Sequence, residues 1–189
     1  MNSIQDRLSS LRAAMRSHGV SHYLVPSADE HINEYLPRWN ARREWMSGFS
    51  GSAGDLLVGL DPAETYLFTD GRYHLQAERQ LAGSTITLER VGTKDAKTLG
   101  QKIGELAKAQ GARFVLGFDP AVLAIGTVEA LEKLVAAYGA RRPSNTRSVD
   151  TCTRRAPKRS ASCSGNHAFM RIASSGCRSQ SARRDIAAR

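Results

Sequence analysis

The side chains in this chain that could carry out chemistry are its histidines and its acidic residues. Both can bind metal ions or transfer protons, but a metal site needs several of them at defined spacings. The histidines are spread along the chain, as His18, His22, His31, His74 and His167. The acids with turn-like surroundings, where carboxylates are common, are Asp29, Glu30, Asp55, Asp61 and Asp70. The three cysteines form no Cys-x-x-Cys pair. A Ser-His-Asp triad is recognised by geometry and is not excluded by spacing, but no nucleophile-elbow pattern supports one. The sequence therefore predicts no metal ligand and no catalytic residue.

A glycine-rich stretch, MSGFSGSAGD over residues 46–55, raises the question of phosphate binding. A Walker loop ends in Gly-Lys-Ser/Thr, whereas this stretch ends in Asp55. The dinucleotide fingerprint Gly-x-Gly-x-x-Gly follows a strand and opens a helix, whereas here the glycines are evenly spaced and a strand follows. We therefore interpret the stretch as a tight connection whose glycines permit positive φ or a close approach of the backbone.

The preceding segment, HINEYLPRWNARREW over residues 31–45, combines aromatic, basic and acidic residues without an amphipathic stripe. Polar loops that carry Trp and Arg are often contact surfaces. The alternative is a solvated loop in which Trp39 and Trp45 pack on the core. The sequence leaves both interpretations open.

Hydrophobic periodicity predicts that helices and strands position these segments. Ile4, Leu8, Leu11 and Met15 lie four, three and four residues apart, which predicts a helix that ends near Gly19. Further helices are predicted over residues 71–81, over 99–110 and from Pro120 onward. Strands are predicted over 21–26, 55–60, 65–70, 85–91 and 113–119, with the second and third joined as an antiparallel hairpin. This alternation predicts an α/β fold, with a mixed β-sheet flanked by helices.

Composition divides the chain at residue 140. Residues 1–140 hold 15 Lys and Arg against 16 Asp and Glu, whereas residues 141–189 hold 12 against 2 and contain all three cysteines. The second part is rich in Arg and Ser and shows no sustained period, so we predict a disordered basic tail. Its composition and abrupt start lead to the hypothesis that it is an out-of-frame translation product.

The basic tail does not by itself make nucleic acid a predicted partner. It lacks the interleaved aromatic residues that stack on bases, and its cysteines match no zinc spacing. The chain has no apolar run near the ~20 residues that a membrane span needs, and its N-terminus lacks the features of a secretion signal. We expect a cytoplasmic protein that binds neither nucleic acid nor membrane.

Three motifs resemble the N-terminal creatinase/prolidase domain of Xaa-Pro aminopeptidases of the aminopeptidase P type. They are PSADEHINEY (26–35), RREWMSGFSGSAG (42–54) and TDGRYHLQA (69–77), within a resemblance that covers roughly residues 4–140. The resemblance implies a mixed β-sheet flanked by helices. In that family a separate C-terminal domain carries two Asp, one His and two Glu that hold two divalent metal ions, commonly manganese. The N-terminal domain closes over the cleft, takes part in dimer contacts and lends residues that contact the proline-containing peptide.

The resemblance assigns one substrate-binding residue, the arginine of the third motif, Arg72. The alternative for Arg72 is a surface ion pair with Asp70 or Glu78. We expect residues 1–140 to be the non-catalytic N-terminal domain of a proline-specific metallo-aminopeptidase, truncated before the catalytic domain and inactive alone. A stand-alone binding or regulatory domain, which pairs with a peptidase or binds proline-containing peptides, is the alternative. The resemblance also allows a homodimer.

Overall fold

The computed structural model of the protein describes residues 3–140, in which helices cover both faces of a five-stranded sheet. The strands are β1 (His22–Val25), β2 (Asp55–Gly59), β3 (Thr65–Thr69), β4 (Thr87–Arg90) and β5 (Leu116–Phe118). The helices are α1 (Ile4–Ser17), α2 (Arg42–Ser47), α3 (His74–Leu81), α4 (Leu99–Gln110) and α5 (Ile125–Ala136). The predicted disordered tail over residues 141–189 lies outside the described residues.

The sheet is mixed and has the strand order β4-β3-β2-β1-β5. The predicted hairpin between β2 and β3 is present, and β1 also runs antiparallel to β2, a pairing that the sequence analysis did not predict. The outer pairs, β1 with β5 and β3 with β4, are parallel. The architecture confirms the predicted α/β fold with a mixed sheet flanked by helices.

Successive residues of the central strands alternate between two hydrophobic cores, as the two-residue period of a strand requires. Leu56 and Val58 of β2 pack with side chains of α1, α2 and α3, whereas Leu57 faces a second core formed with α4 and α5. Helix α1 supplies the predicted stripe, because Leu8, Leu11 and Met15 are fully buried. The central strands are therefore covered on both faces.

Three helices differ from the sequence predictions, and the smallest difference is in α3, which begins at His74 and not at residue 71. Helix α2 was not predicted, because two of its buried residues are Arg42 and Arg43, which interrupt any apolar stripe. Helix α5 was expected to begin at Pro120, but Pro120–Val122 form a 3-10 turn whose N-cap is Asp119. The Asp119 side chain accepts a hydrogen bond from the Ala121 amide, and the α-helix starts only at Ile125. An Asp-Pro turn has replaced the first part of the predicted helix.

One end of the sheet gathers the three segments that the sequence analysis singled out. Strands β1, β3, β4 and β5 run in the same direction, and β2 runs in the opposite direction. The carboxyl ends of the four strands and the first residue of β2 therefore lie at the same end of the sheet. Three connecting segments lie at this end of the sheet. Residues 26–41 follow β1, residues 48–54 precede β2, and residues 70–73 follow β3. We call this end of the sheet the motif end. Ligands of open α/β sheets commonly bind beyond the carboxyl ends of the strands.

Candidate functional site

The motif end contains a solvent-open cavity of about 170 Å³ that two of the three motifs line. We call it the motif cavity. Its lining includes Ser27, Glu34 and Tyr35 from the first motif and Arg43, Gly51 and Ser52 from the second. The third motif joins at the side, because the Tyr73 hydroxyl lies 2.8 Å from the Ser52 hydroxyl oxygen. Segments that are far apart in sequence therefore meet at one concave surface, the usual form of a ligand site.

The glycine-rich stretch encloses the guanidinium of Arg43, which is only 6% exposed. Its Nη2 donates a hydrogen bond to the Gly51 carbonyl, and its Cζ lies 4.7 Å from the centre of the Phe49 ring. Within residues 3–140, neither Nε nor Nη1 has a hydrogen-bond partner. Burial lowers the pKa of Arg43 to about 10, so the group stays protonated at neutral pH. The motif cavity thus has a buried cation in its wall.

Close approach explains the glycines of this stretch and confirms its interpretation as a tight connection. Gly54 has φ of +144°, and a Cβ there would lie 2.4 Å from the Phe68 carbonyl oxygen and 3.5 Å from Arg43 Nη1. A Cβ at Gly51 would lie 2.3 Å from the Phe49 ring. Residues 48–54 connect α2 to β2 and leave room for the arginine. The turn serves packing around a cation.

The loop over residues 26–41 is fixed internally while it exposes apolar side chains. The buried Asp29 carboxylate accepts hydrogen bonds from the amides of Asn33 and His31 and from the Asn33 side chain, and these bonds lower the pKa of Asp29. A bond from the Asn40 side chain to Glu30 closes the loop. Its exposed apolar residues are Ile32, Tyr35 and Trp39. This pattern is typical of a contact surface.

The two tryptophans of this region have different environments. Trp39 is 62% exposed, so the alternative interpretation in which it packs on the core is wrong for this residue. Trp45 does pack against the core, and the guanidinium of Arg7 lies 4.1 Å from its ring centre. Ile32 adopts φ of +58°, an uncommon backbone conformation for a β-branched residue. Strained residues of this kind are enriched at functional sites.

The predicted substrate-binding residue, Arg72, lies at the side of the motif cavity with 64% of its side chain exposed. Its Nε and Nη2 donate to the two carboxylate oxygens of Asp70, over 3.0 and 2.8 Å. Arg72 therefore makes the ion pair with Asp70 that the sequence analysis gave as its alternative interpretation. Glu78, the other predicted partner, pairs with Arg90 instead. The geometry leaves Arg72 accessible to a ligand.

The histidines and acids do not form a metal site in the described part of the chain. His18 and His22 are four residues apart, but α1 ends at Ser17, before both of them, and His22 is buried in β1 against Phe114. Burial lowers the pKa of His22 to about 4. No group of three or more His, Cys, Asp or Glu side chains within residues 3–140 could hold a metal ion. Two metal ions of the kind that the resemblance implies do not fit these residues.

The remaining singled-out residues are separated along the sheet. Asp61 caps a 3-10 turn at the end of the sheet opposite the motif end. Asp55 and Asp70 lie at the motif end. Desolvation of the Asp55 carboxyl raises its pKa. His31 lies in the loop over residues 26–41, and His74 begins α3, with its Nε2 3.2 Å from the Thr69 carbonyl oxygen. His167 lies outside the described residues.

Sequence reasoning missed one buried ion pair at the motif end. Arg42 Nη1 donates to Asp119 Oδ2 over 2.8 Å, and neither side chain is more than 3% exposed. The pair ties α2 to the segment that follows β5. The sequence could have indicated that Asp119 is a special position, because it lies between a buried strand and a proline. Nothing in the sequence indicated that its partner is Arg42.

Comparison with protein families gives this geometry a context. The family profile described as Creatinase/Prolidase N-terminal domain matches residues 7–148. The chain belongs to the creatinase/prolidase N-terminal domain family. The match extends past residue 140, where we placed the end of the folded domain. The resemblance drawn from the three motifs is confirmed.

Curated relatives of this creatinase/prolidase N-terminal domain are longer proteins. A probable Xaa-Pro aminopeptidase P of Laccaria bicolor is 42% identical over 128 residues, which are 68% of this chain and 19% of that protein. One of Verticillium alfalfae is 40% identical over 133 residues, 70% of this chain and 21% of that protein. The chain therefore spans about a fifth of the length of the curated relatives that it matches.

Solved structures contain the same domain. An X-prolyl aminopeptidase from Caenorhabditis elegans, described as a cytosolic enzyme with a di-nuclear active site, is 31% identical with a TM-score of 0.68. The similarity covers 79% of this chain and 25% of that one. The N-terminal domain of the cytoplasmic peptidase PepQ from Mycobacterium tuberculosis is 25% identical with a TM-score of 0.52, covering 77% of this chain and 97% of that one. Between residues 3 and 140, no helix has the length and apolarity that a membrane span requires.

Proposed function

We propose that this chain supplies the N-terminal, non-catalytic domain of a proline-specific metallo-aminopeptidase, an enzyme that removes the residue preceding proline. The observation that carries the proposal is the convergence of the three family motifs at the motif end. Each motif contributes exposed or cavity-lining polar side chains there, such as Glu34, Ser52 and Arg72. Motifs that served only packing would have no reason to share one solvent-open surface.

In this proposal Arg72 contacts the peptide substrate. Its guanidinium is exposed and pre-oriented by Asp70, and it adjoins the cavity through Tyr73. A planar guanidinium donates well-directed hydrogen bonds to a peptide carbonyl or a carboxylate. The exposed residues Tyr35 and Trp39 would border the same cleft when a catalytic domain closes against it.

The chemistry of hydrolysis would come from outside this chain. The expected set of two Asp, one His and two Glu, which would hold two divalent metal ions such as manganese, has no counterpart among residues 3–140. Residues 141–189 contain two Asp and one His but no Glu, so they do not hold such a set by themselves. Two bound metal ions activate a water for attack on the peptide bond. We therefore expect the 189-residue chain to be inactive alone.

The same proposal places the protein in the cytoplasm, with a proline-containing peptide as its ligand. The C. elegans relative is described as cytosolic and the PepQ relative as cytoplasmic, which supports this placement. Contact with a second copy of the chain is part of the proposal, since the family uses this domain in dimer contacts. Nucleic acid and membrane are not proposed partners.

A chimera tests the proposal most directly. Residues 3–140 would replace the matching quarter of the C. elegans enzyme, and hydrolysis of X-Pro peptides would be measured with manganese present. We expect the chimera to be active and the 189-residue chain to be inactive. Arg72→Lys in the chimera should raise KM or lower kcat/KM, because lysine cannot reproduce the planar fork.

Arg79→Lys is the matched control, because Arg79 is an exposed arginine on the neighbouring helix α3. An inactive but folded chimera would contradict the role of peptidase domain and favour a stand-alone binding or regulatory domain. Equal kinetics for Arg72→Lys and Arg79→Lys would remove Arg72 from the substrate site. Cleavage by the 189-residue chain would contradict its non-catalytic role.

A further inference from the structure

The turn over residues 70–73 holds Arg72 through several hydrogen bonds that one carboxylate accepts. Besides the two side-chain bonds from Arg72, Asp70 Oδ1 accepts a hydrogen bond from the Arg72 amide over 3.0 Å. The Tyr73 amide donates to the Asp70 carbonyl over 3.0 Å, which closes the turn. An aspartate that caps its own turn in this way fixes the backbone of the following residues. Both the backbone and the side chain of Arg72 are thus set by Asp70.

The base of this turn is anchored to the motif cavity. The Tyr73 hydroxyl pairs with Ser52, and the Tyr73 ring meets the edge of the Phe49 ring at a centroid distance of 6.0 Å. The Arg72 guanidinium carbon lies 5.3 Å from the Tyr73 ring centre. Arg72 is therefore presented to solvent from a fixed support.

We propose that Asp70 is a positioning residue that orients Arg72 and neutralises its charge, so that the site accepts an uncharged peptide carbonyl in preference to a free carboxylate. The inference rests on the proposed role of Arg72 in substrate contact. It adds a substrate preference to that role. A longer peptide presents an uncharged carbonyl after proline, whereas a dipeptide presents a terminal carboxylate there, so we infer a preference for longer peptides.

The hydrogen-bond geometry leaves a defined set of donors for the ligand. A guanidinium has five N–H groups, and Asp70 uses the Nε–H and one N–H of Nη2. No hydrogen bond within residues 3–140 engages Nη1 of Arg72. Both N–H groups of Nη1 and the second N–H of Nη2 therefore remain available to an oxygen acceptor, so the choice between acceptors depends on charge.

The charges around Arg72 favour a neutral carbonyl over a carboxylate as the hydrogen-bond acceptor. One guanidinium faces the Asp70 carboxylate directly, and the Glu34 carboxylate is near enough to act on it electrostatically. A ligand carboxylate would meet one cation and two anions, whereas a neutral carbonyl accepts the hydrogen bond without that repulsion. A unit charge at ~5 Å in water changes an affinity about four-fold, which sets the expected size of the effect.

The test uses the full 189-residue chain and two probes that differ only at one group, alanyl-proline and alanyl-proline amide. NMR titrations would follow the Arg72 Nε–H signal, assigned by its loss in Arg72→Lys. In the wild type we expect this signal to be visible and the amide to bind about four-fold more tightly than the acid. Asp70→Asn should broaden or shift the signal and reverse the preference, because the mutation removes the negative charge and one acceptor oxygen.

Asp61→Asn is the matched control, since Asp61 accepts a bond from the Ala63 amide in a similar turn at the opposite edge of the sheet. It should leave both affinities unchanged. If both peptides shift the Arg72 signal but Asp70→Asn leaves their affinity ratio unchanged, the selectivity is overturned and the substrate contact stands. If neither peptide shifts the signal in any variant, the substrate contact itself is overturned, and the selectivity with it.

Discussion

Buried arginines at the two ends of the sheet differ in how many of their hydrogen-bond donors have partners. At the end opposite the motif cavity, Arg12 is 4% exposed and donates to the Gly59 carbonyl and the Thr65 hydroxyl, each over 2.9 Å. At the motif end, Arg43 is similarly buried, but its Nε and Nη1 have no hydrogen-bond partner within residues 3–140. The first arrangement satisfies its donors, as buried polar groups in folded proteins usually are. The second leaves donors of a buried cation unused.

The motif end contains further costly features. Ile32 holds a left-handed backbone conformation there, and Tyr35 and Trp39 are exposed beside it. None of these features favours folding, and local violations of folding rules are expected where a protein functions. The comparison therefore supports the proposal that a ligand is contacted at the motif end.

The largest expected effect separates two adjacent arginines of the motif end. Arg42→Met should cost about 3–5 kcal/mol, because it leaves the buried Asp119 carboxylate without its cation. Arg43→Met should cost less, about 1–2 kcal/mol, because it removes a desolvated cation with unused donors but leaves the Gly51 carbonyl unpaired and the Asp55 carboxyl without a favourable nearby charge. Urea unfolding of both variants measures the difference. Equal losses would mean that Arg43 is a structural residue like Arg42.

A second test concerns the close approach of the glycine-rich stretch. Gly54→Ala should cost about 3–4 kcal/mol, because the new Cβ would clash with the Phe68 carbonyl at an unfavourable φ. Gly83→Ala is the control, since Gly83 has φ of +76° with nothing within 4 Å of a new Cβ, and it should cost about 1 kcal/mol. Thermal melts would compare the two. A small effect at Gly54 would show that the turn can move away from Arg43.

The opposite end of the sheet should also depend on its buried arginine. Arg12→Ala should lower the free energy of unfolding by about 2–3 kcal/mol, because it deletes two buried, charge-assisted hydrogen bonds. Arg16→Ala, on the exposed face of the same helix, should change it by less than about 0.5 kcal/mol. Chemical denaturation of both variants provides the measurement. Similar stability of the two would weaken the contrast between the ends.

The smallest effect is a titration at the motif end. Hydrogen bonds from Arg72 lower the pKa of Asp70 to about 2, from an ordinary value of 3.8. A lowered carboxyl pKa in the folded state means that the pair contributes stability above pH 3.8 and loses it as the pH falls towards 2. Carbon NMR should find the Asp70 midpoint near pH 2, and Arg72→Lys should raise it. The Asp6 carboxyl, whose pKa is lowered by Ser3, should not respond to that mutation.

Sequence periodicity predicted the elements that bury a simple apolar stripe. Helix α1 is the clearest example, since its predicted face is the buried face. Prediction failed where polar residues are buried or where side chains cap turns. Helix α2 escaped notice because it buries two arginines, and α3 begins at His74, later than predicted, because residues 70–73 form the Asp70 turn.

The sequence by itself determined the fold class, the family and the position of Arg72 within a motif, because these depend on local spacing and on residue order. Only the tertiary structure decided that the three motifs meet at the motif end and that Arg42 pairs with Asp119, a partner 77 positions away. Only the structure likewise decided that the glycines of residues 48–54 make room for Arg43. Such relations depend on strand order and direction, which bring distant segments to one edge of the sheet and leave no local pattern in the chain.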